Sequence, residues 1–380
     1  MSPVAALLGE LQRIADAPLE KASALPPGLY TSSEILDHEK REIFARDWSC
    51  PGRAADIPDP GNYLTWSIAD QPIFVVRNRD GEVKAFSNVC RHRMMVLLEG
   101  KGSCRRVVCP YHAWTYDLDG QLIGAPHMGA SEGFEKKDIR LHQLRTETWQ
   151  GWIYVTLDED AAPVAELLAP LGEITGRYGQ ENYVPVITED HVWDTNWKLL
   201  TENFMEGYHL PVAHKETVGA WFTEEKTIFP ERIFEGFTYQ TFRKNKTAGY
   251  GRAHEANTWL KGKWRKTSVL PTVFPCHMYV LGPDHLWYLS LRPQGAEKVQ
   301  VRFGVAFAPE VYEAIEDRDT AIAELSAFFD KVNNEDRQVV EGIFKGAQAP
   351  LSRAGQLSWL EHELHDFACY LSRRLNSGVS

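Results

Sequence analysis

Cysteine is scarce in this sequence, with six among 380 residues. Many closely spaced cysteines in a short chain would indicate a disulfide framework. Six scattered ones in so long a chain instead indicate reduced thiols that bind metal or pack in the core. We therefore expect a cytoplasmic protein without structural disulfides.

Long apolar runs and a positive charge balance are also missing. No run approaches the ~20 apolar residues of a membrane helix. The N-terminus lacks a basic start followed by an apolar block, so no secretory signal is predicted. Lys plus Arg is 41 and Asp plus Glu is 52, giving a net charge of −11. This balance argues against nucleic acid or an anionic membrane as the main partner.

The secondary structure predicted from the sequence changes near residue 160. Residues 40–160 contain short β-branched or aromatic runs separated by turn residues such as Asp80-Gly81 and Asp119-Gly120. Residues 161–380 mix helical patterns with strands, including a predicted helix from Asn196 to His209. We therefore expect an antiparallel β domain and an α+β domain.

Two short loops each carry one cysteine and one histidine. Cys90 and His92 form a C-x-H pair, and Cys109 and His112 form a C-x-x-H pair. Tetrahedral zinc is one interpretation, but structural zinc sites usually place cysteine with cysteine and histidine with histidine. A two-iron cluster, with both thiolates on one iron and both imidazoles on the other, fits the arrangement better. Four unconnected residues are the remaining alternative.

A second group of candidate metal ligands lies in NWKLLTENFMEGYHLPVAH, residues 196–214. His209 and His214 are separated by four residues. Pro211 lies between them and should kink or end the helix. Two histidines and one carboxylate form the mononuclear non-haem iron(II) site of oxygenases, which leaves positions open for dioxygen. A histidine pair alone would be weak evidence for such a site.

Both strings resemble motifs of one family. NVCRHR…CPYHAWTYDLDGQLIGAP resembles the Rieske [2Fe–2S] motif, and residues 196–214 resemble the mononuclear iron motif of Rieske oxygenase large subunits. The resemblance extends from about Leu29 to about Gly346. It implies an antiparallel β Rieske domain, residues 40–160, inserted in a helix-grip (START-like) catalytic domain. That catalytic domain would combine the helical residues 1–39 with residues 161–380.

The resemblance also assigns the metal ligands. Cys90, His92, Cys109 and His112 would hold the [2Fe–2S] cluster. His209, His214 and Asp336 would hold mononuclear iron(II). Asp336 falls at the ligand position of NNEDRQVVEGIFKG, but Glu335 is adjacent, and a solvated acidic helix face is the alternative.

Three further residues are assigned near the iron. Glu206 precedes His209 by one predicted helical turn, so its carboxylate should accept from the ring nitrogen that does not bind iron. By motif position it would bridge His209 to His112 of a neighbouring subunit. Most relatives have aspartate here, and glutamate is found among relatives acting on trimethylammonium-type compounds. Asn203 and Tyr208 match positions near the iron.

One position departs from the family. After Cys90-Arg91-His92-Arg93, many relatives have a glycine where this chain has Met94 and Met95. The ligands are unaffected, but the loop or its docking partner would differ.

The resemblance implies the oxygenase component of a multicomponent enzyme that uses dioxygen and electrons from NAD(P)H. The sequence has no Gly-x-Gly-x-x-Gly nucleotide fingerprint after a strand. A separate flavin and iron–sulfur reductase, with or without a ferredoxin, is therefore expected to supply the electrons. A homotrimer is the expected assembly, because the two metal sites within one chain are too far apart in this family.

The substrate is expected to be a small organic molecule. The first hypothesis is hydroxylation of an aromatic acid or related ring. The alternative is oxidative N- or O-demethylation of a quaternary ammonium or methoxy compound. A Rieske electron carrier without oxygenase activity is a third, and a colourless zinc protein a fourth. Aromatic residues expected around the pocket are Phe222, Phe229, Phe242, Tyr250, Trp259, Trp264, Phe274, Tyr279 and Trp287, and His277 and His285 are candidate donors to a substrate carboxylate.

Overall fold

The computed structural model describes residues 2–219, 227–243 and 251–377. The chain divides into two compact units, Phe44–Glu166 and the combination of Met1–Ile43 with Leu167–Ser380. All assigned strand pairs are antiparallel and helices accompany one of the two large sheets, so the α+β class is confirmed. Within the described residues, no helix combines the length and apolar character needed to cross a membrane. All six cysteines are free of disulfides.

The unit Phe44–Glu166 contains a seven-stranded and a three-stranded antiparallel sheet. The strand order is β1-β10-β9-β4-β3-β2-β5 in the first and β6-β7-β8 in the second. The strands are β1 (Ser49–Arg53), β2 (Asn62–Ile68), β3 (Gln71–Arg77), β4 (Val83–Ser87), β5 (Lys101–Ser103), β6 (Val107–Val108), β7 (Thr115–Tyr116), β8 (Leu122–Gly124), β9 (Gln143–Trp149) and β10 (Trp152–Thr156).

The larger sheet of this unit buries both of its faces. Alternate residues of β3 pack into two different apolar clusters, because successive side chains point to opposite faces of a strand. Ile73 and Val75 lie in one cluster, and Phe74 lies in the other. The second cluster also contains Cys90 and Cys109. The two cysteine loops are therefore packed against a rigid sheet.

The other unit is built on a seven-stranded antiparallel sheet of order β11-β17-β16-β15-β14-β13-β12. Its strands are β11 (Val184–Trp193), β12 (Thr227–Ile228), β13 (Phe237–Arg243), β14 (Thr267–Val273), β15 (His277–Leu281), β16 (His285–Gly295) and β17 (Lys298–Phe307). The α-helices within the described residues are α1 (Pro3–Asp16), α2 (Gly28–Thr31), α3 (Ser33–Glu39), α4 (Val164–Leu167, which ends at the unit boundary), α5 (Ala169–Thr175), α6 (Trp197–Met205), α7 (Leu210–Ala213), α8 (Pro309–Glu313), α9 (Arg318–Ala347) and α10 (His362–Asn376).

Helix α6 is shorter than the sequence predicted. Asn196 caps it, accepting from the backbone N–H of Lys198 at 3.1 Å. The helix ends at Met205, and Glu206 is extended with φ −121° and ψ 149°. The predicted helix through His209 is therefore wrong. The break precedes Pro211, which lies in the first turn of α7, where proline is well tolerated.

Buried polar contacts hold α6 in place. The Lys198 ammonium lies 2.6 Å from Glu39, and the Trp197 indole N–H donates to the same carboxylate at 2.8 Å. The Tyr30 hydroxyl donates to Glu202 at 2.8 Å. Burial raises the pKa of Glu202 to about 8. Removing one partner of a buried ion pair lowers the free energy of unfolding by about 3–5 kcal/mol. These contacts therefore hold α6, the helix that precedes His209 and His214, firmly in place.

Candidate active site

The two cysteine loops have the same backbone construction. The N–H of Met94 donates to the carbonyl of Cys90 at 3.1 Å, and that of Ala113 donates to the carbonyl of Cys109 at 3.0 Å. Met94 and Ala113 both have a φ of +56°. This left-handed conformation explains why glycine suits the position that Met94 occupies, because glycine adopts it without strain.

The side chains on these loops separate into buried thiols and exposed imidazoles. Cys90 is 2% exposed and Cys109 is 3% exposed. The rings of His92 and His112 lie at the surface of the unit with their centroids 4.8 Å apart. The structure therefore brings the four predicted ligands into two like pairs. This donor set fits a Rieske cluster whose cysteine-bound iron is inside and whose histidine-bound iron is outside.

Tyr116 and Trp114 surround this site. The Tyr116 hydroxyl accepts from the backbone N–H of Arg91 at 3.0 Å and lies 3.3 Å from the Cys90 sulfur. The Trp114 ring stacks on His92 with a centroid distance of 4.7 Å. Hydrogen bonds to sulfur and exclusion of water are the means by which proteins adjust such a cluster.

The predicted mononuclear ligands also come together. Nε2 of His214 lies 2.9 Å from Oδ1 of Asp336, and Nε2 of His209 lies 3.5 Å from the same oxygen. One ligand atom from each of the three residues lies within 4.8 Å of the others. His209 precedes α7, His214 follows it, and α9 supplies Asp336. Two imidazoles and a carboxylate at this spacing fit a ferrous ion with open positions.

A carboxylate engages the other ring nitrogen of each histidine. Glu206 accepts from the backbone N–H of His209 at 3.0 Å and also contacts Nδ1 of its ring. Glu335 accepts from Nδ1 of His214 at 2.8 Å. Glu206 makes its contact from extended backbone and not from a helical turn. Glu335 lies on the far side of the His214 ring from Asp336, which favours Asp336 as the ligand.

These carboxylates change the proton affinity of the rings. Burial alone would lower the pKa of His209, but hydrogen bonds to Asp336 and Glu206 outweigh it and raise the pKa to about 10. The pKa of His214 is raised in the same way, by Asp336 and Glu335 against burial. A metal ion at Nε2 takes the place of a proton, so a site that attracts protons strongly also attracts a cation.

A cavity of about 150 Å³ adjoins the three ligands. Its apolar wall consists of Phe204, Leu210, Val218, Phe242, Leu270, Val280, Trp287, Leu289, Phe329 and Val332. Its polar lining, apart from the metal ligands and Glu206, consists of Asn203, Gln240, Ser268 and Asn333. The predicted residue Asn203 is thus in the wall of the cavity. Tyr208 is 59% exposed and does not line it, so its assigned role stays a prediction.

The aromatic part of the wall centres on Trp287. Its ring lies 5.5 Å from Phe204 at 77° and 5.8 Å from Phe329 at 55°. Of the aromatic residues expected around the pocket, Phe242 and Trp287 line it, whereas Phe222 and Tyr250 lie outside the described residues. Phe229, Trp259, Trp264, Phe274 and Tyr279 do not line it, and neither do His277 and His285.

Sequence reasoning missed Phe204 and Phe329. The sequence position of each residue, relative to a predicted site residue, could have indicated that it lies near the iron. Phe204 follows Asn203 in the iron motif, and Phe329 precedes Asp336 by two helical turns on the same face of α9.

This combination of fold and site defines a Rieske-type non-haem iron oxygenase. The sequence matches the Rieske [2Fe–2S] domain over residues 47–144 and the ring hydroxylating alpha subunit (catalytic domain) over residues 180–377. The chain belongs to this family of oxygenase components. Its cofactors are a [2Fe–2S] cluster and a mononuclear iron, and a partner reductase supplies the electrons.

Individual relatives are also similar over much of the chain. The oxygenase subunit of carnitine monooxygenase from Acinetobacter baumannii is 29% identical over 86% of each chain. The oxygenase subunit of glycine betaine monooxygenase from Pseudomonas aeruginosa is 36% identical over 51% of this chain and 45% of its own. A solved structure of a quaternary ammonium Rieske monooxygenase, 25% identical, superposes with a TM-score of 0.79 over 96% of this chain and 97% of its own.

Proposed function

We propose that this oxygenase component is a monooxygenase of a small quaternary ammonium compound and hydroxylates a carbon bonded to the charged nitrogen. The observation that carries this proposal is the aromatic cavity beside His209, His214 and Asp336. Tryptophan faces attract cations best among the aromatic side chains, and quaternary ammonium ligands are recognised in aromatic cages. The charge of the substrate would lie against Trp287 and its aromatic neighbours.

The size of the cavity does not distinguish an aromatic substrate from a quaternary ammonium substrate. A dry cavity of about 150 Å³ holds a benzene-sized molecule, so an aromatic ring would fit as well as a trimethylammonium group. The relatives named for carnitine and glycine betaine favour the demethylation alternative over the aromatic acid first expected. Glu206, longer than the usual aspartate, agrees with that choice.

The chain's own residues have distinct tasks in this reaction. His209, His214 and Asp336 would hold the ferrous ion, which supplies the capacity to bind and activate dioxygen. Glu206 and Glu335 hold the histidine rings with Nε2 directed to the metal position. The aromatic wall excludes water and places the N-methyl carbon next to that position. Four side chains of the other unit, Cys90, His92, Cys109 and His112, would hold the cluster.

The overall reaction balances with two external electrons. A methyl C–H bond is replaced by C–OH with one oxygen atom of dioxygen. The other oxygen atom leaves as water, taking up two electrons and two protons. The resulting N-hydroxymethyl compound breaks its C–N bond, releases formaldehyde and leaves the tertiary amine.

We further propose a homotrimer served by a flavin and iron–sulfur reductase in the cytoplasm. Glu206 would link His209 to the partner subunit's His112, so that electrons pass between neighbouring chains. Support comes from the solved relative described for inter-subunit electron transfer and from the contact of Glu206 with His209.

A single-turnover experiment tests the proposed function. Iron-loaded protein with a reduced cluster is exposed to ¹⁸O₂ with choline, glycine betaine or carnitine, and with benzoate as the aromatic comparison. We expect a demethylated amine and formaldehyde from a quaternary ammonium compound. A ¹⁸O-labelled ring-hydroxylated product, with no oxidation of the ammonium compounds, would contradict the proposal.

A further inference from the structure

The long helix α9 presents one face to the cavity. Phe329, Val332, Asn333 and Asp336 all line the cavity, and their spacing places them on the same side of the helix. Three of these side chains are an aromatic ring, an apolar group and a predicted metal ligand. Asn333 is the exception, because its neutral amide has no part in holding the metal. Its position between the other three directs this amide toward the cavity.

The amide of Asn333 is open and has no partner. Asn333 is partly buried, and its side chain makes no hydrogen bond to another described residue. It is also absent from the buried polar atoms that lack a partner, so its oxygen and its nitrogen both have accessible surface. The amide of Gln240 differs, since its oxygen is closed off from solvent. An open amide in a cavity wall can form a hydrogen bond with a molecule that fills the cavity.

Asn333 lies between the two features that the proposed reaction needs. Phe329 is four residues before it, and the Phe329 ring lies 5.8 Å from that of Trp287. Asp336 is three residues after it, about 4.5 Å further along the helix axis. Helical side chains lean toward the N-terminus, so the amide is expected to lean from Asp336 toward the aromatic wall. A ligand with its ammonium group at that wall and a methyl group at the metal position therefore has the rest of its chain within reach of Asn333.

An amide recognises oxygen atoms and not methyl groups. Its N–H groups donate to an alcohol or a carboxylate. Phe329 and Val332, its neighbours on the cavity face, have no side-chain acceptor. A ligand that covered the amide without bonding to it would leave a polar group unpaired, and for this reason such sites discriminate against an analogue that lacks the bonding group. An oxygen atom two carbons from the ammonium nitrogen would supply the acceptor.

We propose that Asn333 is a specificity-determining residue whose side-chain N–H donates a hydrogen bond to a hydroxyl or carboxylate oxygen of the quaternary ammonium substrate. This bond selects compounds that carry such an oxygen over simple alkylammonium compounds, and it turns an N-methyl group toward the metal position. The inference rests on the proposed function, since it names a second group that the substrate must carry.

Equilibrium binding tests the inference without turnover. Oxidised protein carrying both metals is titrated calorimetrically with choline, with glycine betaine and with trimethylpropylammonium, in which a methyl group replaces the hydroxyl of choline. Asn333→Leu removes the amide at nearly constant size, and Asn333→Ala removes it with less bulk. Asn334→Leu, the same change at the next position, is the matched control, because Asn334 is exposed and does not line the cavity. Circular dichroism and iron content show whether each variant is folded and loaded.

We expect the unmodified protein to bind choline or glycine betaine at least about fivefold more tightly than trimethylpropylammonium, the equivalent of about one hydrogen bond. The preferred ligand of the two shows whether a hydroxyl or a carboxylate is bound. Asn333→Leu and Asn333→Ala should remove the preference, and Asn334→Leu should keep it. An unchanged preference in both Asn333 variants, or equal weakening of all three ligands, would overturn the inference.

A neutral ligand separates the two proposals. In 3,3-dimethylbutan-1-ol, carbon replaces the charged nitrogen of choline. If the unmodified protein binds this alcohol as tightly as the ammonium ligands, the proposed function itself fails. If it prefers the ammonium ligands but does not distinguish choline and glycine betaine from trimethylpropylammonium, the proposed function stands and the assignment to Asn333 fails.

Discussion

Glu335 accepts a hydrogen bond from Nδ1 of His214 at 2.8 Å, on the opposite side of the imidazole from Asp336. The Thr217 hydroxyl donates to the same carboxylate oxygen at 2.5 Å. A proton held on Nδ1 leaves the Nε2 lone pair free for a metal, and the carboxylate raises the basicity of the ring. Two adjacent acids on α9 therefore have different relations to one histidine, one facing the metal position and the other behind the ring.

The first prediction concerns iron affinity. Glu335→Ala should weaken ferrous binding at His214 by about 10- to 100-fold, because outer hydrogen-bond partners of metal-bound histidines have effects of this size. Glu335→Gln should weaken it less, since its amide oxygen can still accept from Nδ1. Competition with a chelator measures the affinity, and the visible spectrum of the cluster should not change.

Glu216→Ala is the control for this prediction. Glu216 is exposed, lies in the same segment as His214 and pairs with Lys331 at 3.3 Å. Asp336→Ala should lose the iron altogether. If Asp336→Ala kept full iron while Glu335→Ala lost it, the ligand assignment would move to Glu335.

The second prediction concerns Glu206. Glu206→Gln should retain both metals, because the amide oxygen can still accept from the backbone N–H of His209. Electron transfer from the cluster should nevertheless slow strongly, since the charge that holds the ring proton is gone. Stopped-flow measurement of cluster oxidation by dioxygen gives the rate. A normal rate would remove the bridging role assigned to this residue.

The sequence predicted the site better than the backbone around it. His209 and His214 could be found because their spacing lies within a recognisable string. The end of α6 at Met205 could not, since apolar periodicity does not show where Glu206 leaves the helix. The sequence chose Asp336 over Glu335 by motif position alone, because successive helical residues are about 100° apart and both can approach one histidine.

Gln240 shows a different limit of sequence reasoning. Nothing in its local pattern distinguishes it from a solvent-facing strand residue. Its burial follows from tertiary contacts, which include the hydrogen bond from its side-chain amide to the carbonyl of Met205 at the end of α6. The face of a strand that lines a cavity is decided by elements distant in sequence, so pocket residues on β13 to β16 were predicted only as a group.

The third prediction distinguishes a cysteine that is a predicted cluster ligand from one that is not. Cys109→Ala should abolish the visible spectrum of the cluster, because Cys109 is one of its two predicted thiolates. Cys104→Ala should keep that spectrum, since Cys104 lies in the same segment but is not a predicted ligand. Absorption spectra and iron content of the two variants provide the comparison. A cluster that survived Cys109→Ala would refute the ligand set.

The fourth prediction concerns the potential of the cluster. The Tyr116 oxygen accepts from Arg91, so its own hydrogen is available to the Cys90 sulfur 3.3 Å away. Tyr116→Phe removes this donor, which stabilises the more negative, reduced cluster. The midpoint potential should fall by on the order of 50 mV, the equivalent of about one hydrogen bond for one electron.

A redox titration followed by absorption measures this shift. Tyr111→Phe is the control, because Tyr111 is exposed and packs beside His112 with its ring centroid 3.6 Å away. Equal shifts in both variants would indicate a general change of the loops and not the loss of one hydrogen bond.

The fifth prediction concerns stability against pH. Asp366 on α10 is buried and accepts from the Thr238 hydroxyl at 2.7 Å. Burial raises its pKa from 3.8 to about 6. As the pH rises above 4, the unfolded chain ionises this group while the folded chain still holds the proton. Stability is therefore lost between about pH 4 and 6, by up to about 3 kcal/mol.

Asp366→Asn should flatten this part of the pH profile and raise stability above pH 6, because an amide oxygen can still accept from Thr238. Glu363, one helical turn earlier, is also fully buried with its pKa raised by burial and by Asp366, so some decline with pH should remain. His362 lies 3.6 Å from Asp366, and burial lowers the pKa of its imidazole, so it offsets the charge of Asp366 only at a pH low enough to protonate it. Apparent Tm measured from pH 4 to 8 provides the test, with exposed Asp330→Asn as the control. The prediction fails if Asp366→Asn is less stable than the parent at pH 8 and its apparent Tm changes with pH as steeply as that of the parent. That result would show that the folded protein stabilises the charged form of Asp366.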